Sequence, residues 1–156
     1  MTDFEAAESE MKKQFGHDVI MALATVSGNG TNVRNVDAYY KDGNIYITSH
    51  GESNKMKEIE KNSNVSLCRN LSVFWGKGEN IGNPKEEKNS EIRNEVRNIF
   101  SAFYDRHVNE NDPKTCILKV ELTKALVFNN EAKYIINYTD RKAQKIPMKI
   151  DVVFEE

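Results

Sequence analysis

The sequence predicts a mostly β fold, an antiparallel barrel with flanking helices, on two observations. Apolar runs of strand length are joined by short turns such as Ser27-Gly28-Asn29-Gly30 and Asp42-Gly43, and turns of this kind link antiparallel neighbours. Helical periodicity is confined to a few segments, too few to supply the crossovers that a parallel sheet requires. A closed or partly closed β-barrel with Greek-key-like connections is therefore expected.

Phe4, Ala7, Met11 and Phe15 recur at helical spacing among Glu, Ser and Lys, and predict an amphipathic first helix that stops at Gly16. Val19 to Val26 is a nearly continuous apolar run, short for a helix, and reads as the first strand. Thr31 to Lys41 alternates as a second strand, and Asn44 to Ser49 follows the Asp42-Gly43 turn as a third. A short helix opens at Glu52 or Ser53 and runs through Lys61, with Met56 and Ile59 as its apolar edge.

Val65 to Leu71 and Ser72 to Ile81 read as two further strands, and Gly76 and Gly78 within the second predict a bulge or a close approach of backbone. Ser90 to Arg106 is the strongest helix after the first, with Ile92, Val96, Ile99, Phe100 and Phe103 on one stripe. Thr115 to Phe128 is a long strand, turned by Asn129-Asn130 into Glu131 to Tyr138. From Thr139 onward, Asp140, Arg141, Lys142 and Lys145 describe an exposed segment, whereas Ile150, Val152 and Phe154 alternate as an edge strand would. Residues 1–156 are read as one domain, with 139–156 either a less ordered tail or an edge strand.

The length of 156 residues suits one hydrophobic core, and the 38% apolar and 29% charged fractions suit a globular chain with a well-solvated surface. Net charge is -2, and bases alternate with acids in stretches such as Lys85-Glu86-Glu87-Lys88. That pattern makes no field to attract a polyanion, so no nucleic-acid partner is expected. The N-terminus lacks the apolar core of a signal peptide and no segment has the apolar length to span a bilayer, so a cytoplasmic location without membrane contact is expected. Cys68 and Cys116 form no CxxC pair or zinc set and read as buried thiols of a reducing compartment. His17, His50 and His107 are scattered with no Glu or Cys at ligand spacing, and no metal site is expected.

The most informative stretch runs from Leu23 to Leu67. It holds, in order, Leu23-Ala24-Thr25-Val26, Arg34 with Val36, the turn glycine Gly43, Thr48-Ser49, Ser53-Asn54-Lys55 at a helix start, and Asn62 to Val65. The residues alone read two ways. Thr48, Ser49, Ser53 and Lys55 cluster where a strand gives way to a helix N-terminus, which offers a phosphate its hydroxyl donors, amide donors and cation. Equally, Thr48 and Ser49 end a strand, Ser53 caps a helix and Lys55 is a solvated first-turn lysine.

In order and spacing these elements resemble the pyridoxamine 5'-phosphate oxidase-like family, over about residues 5 to 130. The resemblance implies an FMN-binding split barrel that forms a homodimer with the flavin at the subunit interface. It implies an FMN phosphate near Thr48, Ser49, Ser53, Asn54 and Lys55, and an FMN ring against the strand bearing Arg34, Asn35, Val36 and Asp37. It further implies that the strand carrying Trp75 reaches the flavin of the partner subunit.

Several of these residues also have a structural reading. Arg34 in an alternating strand is ordinarily a surface residue, Asp37 suits an exposed ion pair, and Trp75 suits an interior or interface. Gly76, Gly78 and Gly82 do not make a dinucleotide fingerprint, because the third spacing is wrong and Pro84 follows where a helix should open.

The expected activity is that of an FMN-dependent oxidoreductase acting on a small molecule. Flavin carries the chemistry itself, in keeping with a chain in which no Ser-His-Asp set or general base is discernible. The alternative is a non-catalytic flavin- or haem-binding or sensing protein, whose bound group does not turn over. Relative to the vitamin oxidases of the family the chain is shorter and lacks an arginine-rich C-terminal ending, so vitamin oxidation itself is not expected.

Overall fold

Tight turns fix the start of the sheet. Asp42 and Gly43 both take positive φ (48° and 83°), the geometry of a two-residue hairpin whose twist matches its strands. In the computed structural model, which describes residues 1–148, the elements are α1 (Asp3–Phe15), β1 (Val19–Ser27), β2 (Gly30–Lys41), β3 (Asn44–His50), α2 (Asn54–Lys61), β4 (Asn64–Arg69), β5 (Ser72–Asn80), α3 (Ser90–Ile99), α4 (Tyr104–His107), β6 (Thr115–Phe128), β7 (Ala132–Asn137) and β8 (Lys142–Pro147).

The strands run in the order β3-β2-β1-β4-β5-β6-β7-β8, every pairing antiparallel, and β3 also pairs with β6. Six strands thus close into a barrel, with β4 beside β1 in Greek-key order, while β7 and β8 continue the sheet beyond β6. The inward positions of each strand fill the barrel: Met21 and Leu23 from β1, Ala38 and Tyr40 from β2, Ile45 and Ile47 from β3, Leu67 from β4, Phe74 from β5, Leu118 and Val120 from β6.

The two ends of the barrel are closed by helices. Helix α1 is capped by Thr2 and Glu5 in a reciprocal capping box, and its buried face is Phe4, Ala7, Met11 and Phe15. It lies at the C-terminal end of β2, where Tyr40 donates its hydroxyl proton to Glu8 and meets the Tyr138 hydroxyl at 3.0 Å. Helix α2 closes the other end with Met56 and Ile59, near the start of β2, where Asn32 donates to Glu58 at 3.0 and 3.1 Å. A second, smaller core lies outside the barrel, where Val96, Phe100 and Tyr104 of the α3–α4 region pack on Ile117, Tyr39 and Tyr46.

The two glycines of β5 behave as their spacing suggests. The β5–β6 register shifts between Trp75 and Gly76, and a Cβ on Gly76 would stand 2.3 Å from the Glu121 carbonyl oxygen. A Cβ on Gly78 would stand 3.0 Å from Ile59, so this glycine lets α2 sit close against the barrel.

Three expectations change. The helix expected over 90–106 is two: α3 ends at Ile99, Phe100 and Phe103 stack with centroids 5.2 Å apart, and α4 restarts at Tyr104. The break turns Tyr104 inward onto Ile117 and leaves Phe103 at the surface of a cleft. Cys68 is exposed, because β4 points Leu67 into the barrel and its neighbour therefore out, while Cys116 is buried as expected. The charged segment after Thr139 forms strand β8, paired with β7 from Ala132↔Pro147 to Asn137↔Lys142. Ile150, Val152 and Phe154 lie outside the described residues.

Candidate functional site

Strands β2 and β3 leave the Asp42-Gly43 turn together and then separate. Their ladder consists of Lys41↔Asn44, Tyr40↔Ile45 and Tyr39↔Tyr46 only. Past Tyr39, β2 continues against β1, and past Tyr46, β3 continues against β6. The barrel wall is parted along this seam, and a cleft of about 440 Å³ occupies it. Asn35, Val36 and Asp37 line it from β2, Ile47 and Thr48 from β3, Lys55 from α2, and Phe103, His107 and Val108 from α4 and its flanks.

The fold thus brings together five of the residues that the sequence singles out: Asn35, Val36, Asp37, Thr48 and Lys55. Lys55 is half-buried, and burial together with the positive charge of Arg34 holds its ammonium below the usual lysine range. None of the ion pairs among the described residues includes it. A desolvated cation of this kind is completed by an anion.

The neighbouring hydroxyls are also available. Ser53 is the N-cap residue of α2, yet its side chain does not cap the helix; its hydroxyl lies 3.4 Å from that of Ser49. Asn54 is exposed at the first position of α2 and does not line the cleft.

Arg34 is held by the protein. Its Nη1 donates to Thr25 Oγ1 at 2.6 Å and to the Leu23 carbonyl at 3.4 Å, and its Nη2 faces Glu58 Oε1 at 3.5 Å. Hydrogen bonds from Asn32 and Thr25 and the charge of Arg34 keep the Glu58 carboxyl below the usual carboxylate range. Arg34 therefore supplies positive potential to Lys55 while its fork remains on Thr25 and Glu58.

Trp75 stands apart. It points outward from β5, on the wall opposite β2, with Lys124 Nζ 4.9 Å from its ring centroid, so one chain does not bring it to the cleft. His50 is engaged on both ring nitrogens: Nδ1 accepts from the Glu52 amide at 3.2 Å and Nε2 lies 2.9 Å from Asp112 Oδ2.

Sequence reasoning missed Phe103, His107 and Val108, because nothing in their pattern indicates that the helix breaks where it meets β3. It also missed Asp18, just before β1, whose carboxyl is pushed up to about 6 by burial and by the neighbouring Asp37. A larger cleft of about 620 Å³ lies between α2, β5 and the 82–86 loop, but Glu60, Glu79 and Glu86 line it against the single cation Lys114, an unfavourable setting for a phosphate.

An antiparallel six-stranded barrel parted at one seam, with helices closing its ends, defines a split barrel. The chain belongs to the pyridoxamine 5'-phosphate oxidase family, whose sequence pattern matches residues 7–129. No curated protein matches the chain.

Among solved structures it is similar to an FAD-binding protein from Mesorhizobium loti (TM-score 0.60, 16% identity, 75% of this chain and 90% of that one). It is also similar to general stress protein 26 from Bacillus anthracis (TM-score 0.59, 16% identity, 90% and 98% covered). A NimC/NimA family protein from Clostridium acetobutylicum aligns over 95% of both chains (TM-score 0.56, 16% identity). At these identities the likeness is one of fold. Among the described residues no helix is long and apolar enough to cross a membrane.

Proposed function

We propose that the cleft between β2 and β3 binds FMN and that the protein is a flavin-dependent oxidoreductase acting on a small molecule. One observation carries the reading: Lys55, a half-buried cation without a carboxylate partner among the described residues, sits at the start of α2 beside Thr48 and beneath the parted seam. The first amides of α2 and the Ser49 and Ser53 hydroxyls supply donors for a phosphate, and the Lys55 ammonium supplies charge. Asn35, Val36 and Asp37 then form the wall against which a planar ring would lie, with Phe103 opposite. Bound flavin would supply hydride or single-electron chemistry, and the chain's own residues would bind, orient and shield it.

A homodimer belongs to the same proposal. The outer face of β1 and its neighbours carries Ile20 and Val33, 54% and 68% exposed, with Ala22 and Ala24 between them. Registers run from this face to both candidate regions: Asn35↔Ala22↔Cys68↔Val73 on one row and Val33↔Ala24↔Ser66↔Trp75 on the next. A second copy docked on that face would bury the exposed apolar residues and would set its own Trp75 strand near the cleft.

The test is a visible spectrum after FMN has been added and the excess removed, with a titration of the double variant Ser53→Ala, Lys55→Ala. Flavin bands should persist at near one per subunit, and the double variant should bind more weakly by about 1–3 kcal/mol. A colourless wild-type protein would remove the flavin reading. Colour without turnover on any electron donor would favour a non-catalytic flavin carrier or sensor.

A further inference from the structure

Lys55 carries a nucleophile as well as a charge. It lines the cleft together with Val36, Ile47, Phe103 and Val108, an apolar surround for an amine, and no ion pair among the described residues includes it. Arg34 reaches the same helix at Glu58, with Nη2 3.5 Å from Oε1, and Glu58 lies three residues beyond Lys55 on one face of α2. A permanent cation therefore stands close to a half-buried amine. A lysine desolvated in an apolar pocket next to another cation is the arrangement that frees an amine for attack on carbonyl groups.

We propose that Lys55 captures aromatic aldehydes as a reversible imine, making the cleft a covalent carbonyl-binding site. This capture goes beyond the flavin reading and does not depend on it. The Nζ lone pair attacks the carbonyl carbon and a C–N bond forms; the carbonyl oxygen takes up a proton to give the carbinolamine. That oxygen then leaves as water, the second amine hydrogen is lost to solvent as a proton, and a C=N bond remains. No oxidant or reductant takes part, and addition of water reverses the step. An aromatic aldehyde is favoured because conjugation stabilises its imine and because Phe103, stacked on Phe100 with centroids 5.2 Å apart, presents ring surface to the cleft.

Burial, and then the charge of Arg34, lower the Lys55 amine from the usual lysine range, against a smaller opposing effect of Cys116. The other titratable groups facing the cleft are Asp37 from β2 and His107 from α4, while the Glu58 carboxylate is taken up by Asn32, Thr25 and Arg34. Imine formation needs the neutral amine and a phosphate favours the ammonium, so the aldehyde and a phosphate-bearing ligand exclude one another by charge state as well as by space.

The test uses the full chain, with benzaldehyde at limiting concentration near neutral pH and cyanoborohydride to trap the imine, followed by peptide mass spectrometry. Lys55 should carry the benzyl group at least about tenfold faster than any other lysine, and Lys55→Arg, which keeps the cation, should lose this fast labelling. Labelling spread evenly over the surface lysines, or a fast phase that persists in Lys55→Arg, overturns the proposal. FMN added beforehand should slow the labelling of Lys55 in proportion to its occupancy. Fast labelling confined to Lys55 that FMN does not slow overturns instead the flavin reading of the cleft and leaves the capture site standing.

Discussion

Glu110 anchors the wall of the cleft formed by α4, and removing its charge by Glu110→Gln gives a quantitative test. Arg93 donates to it from Nε at 2.6 Å and Nη2 at 2.8 Å, and the Tyr104 hydroxyl donates at 2.9 Å. The Arg93 bonds chiefly, against an opposing effect of burial and with help from Tyr104, lower the Glu110 carboxyl from 4.5 to about 2. Taken at face value that shift corresponds to about 3.4 kcal/mol at 1.36 kcal/mol per unit.

The side chains are 30% and 18% exposed, so water screens the pair, and about 1.5–2 kcal/mol is expected for a partly buried charge-assisted contact. The folded value lies below the unfolded one, so this stability is complete above the unfolded value and declines as pH falls toward about 2. By linkage about two-fifths of it should survive at pH 3.5. Urea unfolding of wild type and variant at pH 7 and 3.5 measures both quantities. Equal midpoints at pH 7, or a difference that does not shrink with acid, would refute the argument.

Other substitutions probe the remaining elements. Gly76→Ala places a Cβ against the Glu121 carbonyl and should destabilise by about 2–3 kcal/mol in chemical unfolding. Tyr40→Phe leaves the Gly43 amide, which donates to the Tyr40 hydroxyl at 3.0 Å, without that acceptor, and should cost about 1–2 kcal/mol by the same assay. His50→Ala should leave FMN affinity within about twofold, since both ring nitrogens are engaged by Glu52 and Asp112, and should cost at most about 1 kcal/mol as a half-exposed pair. A large loss of FMN affinity in that variant would bring His50 into the site.

Much of the barrel was legible because its signals are local. Alternation in β2, the Asp42-Gly43 turn and the full length of β6 are written within a few residues of where they act. The seam was not legible, since the separation of β2 from β3 after Tyr39↔Tyr46 depends on β6 capturing β3 from a distant part of the chain. The break after Ile99 had the same cause: the apolar stripe continues through Phe103, and only packing on Ile117 decides that Tyr104 turns in. Lys55 and Thr48 were recognised from residue types at a strand-helix junction, whereas Asp18 carried no sequence mark, being one aspartate among many until the β1–β2 hairpin sets it beside Asp37.

Strand β6 pairs with β3 on one side, β5 on the same barrel wall and β7 at its far end. The first five strands end at Asn80 and β6 begins only at Thr115, so during synthesis, until Thr115–Phe128 emerges, both β3 and β5 present raw hydrogen-bonding edges. A nascent chain halted before β6 is thus an open sheet inviting pairing with its neighbours. Arrival of this single segment satisfies both edges at once, which makes barrel closure a late and slow step set by contacts between residues far apart in sequence.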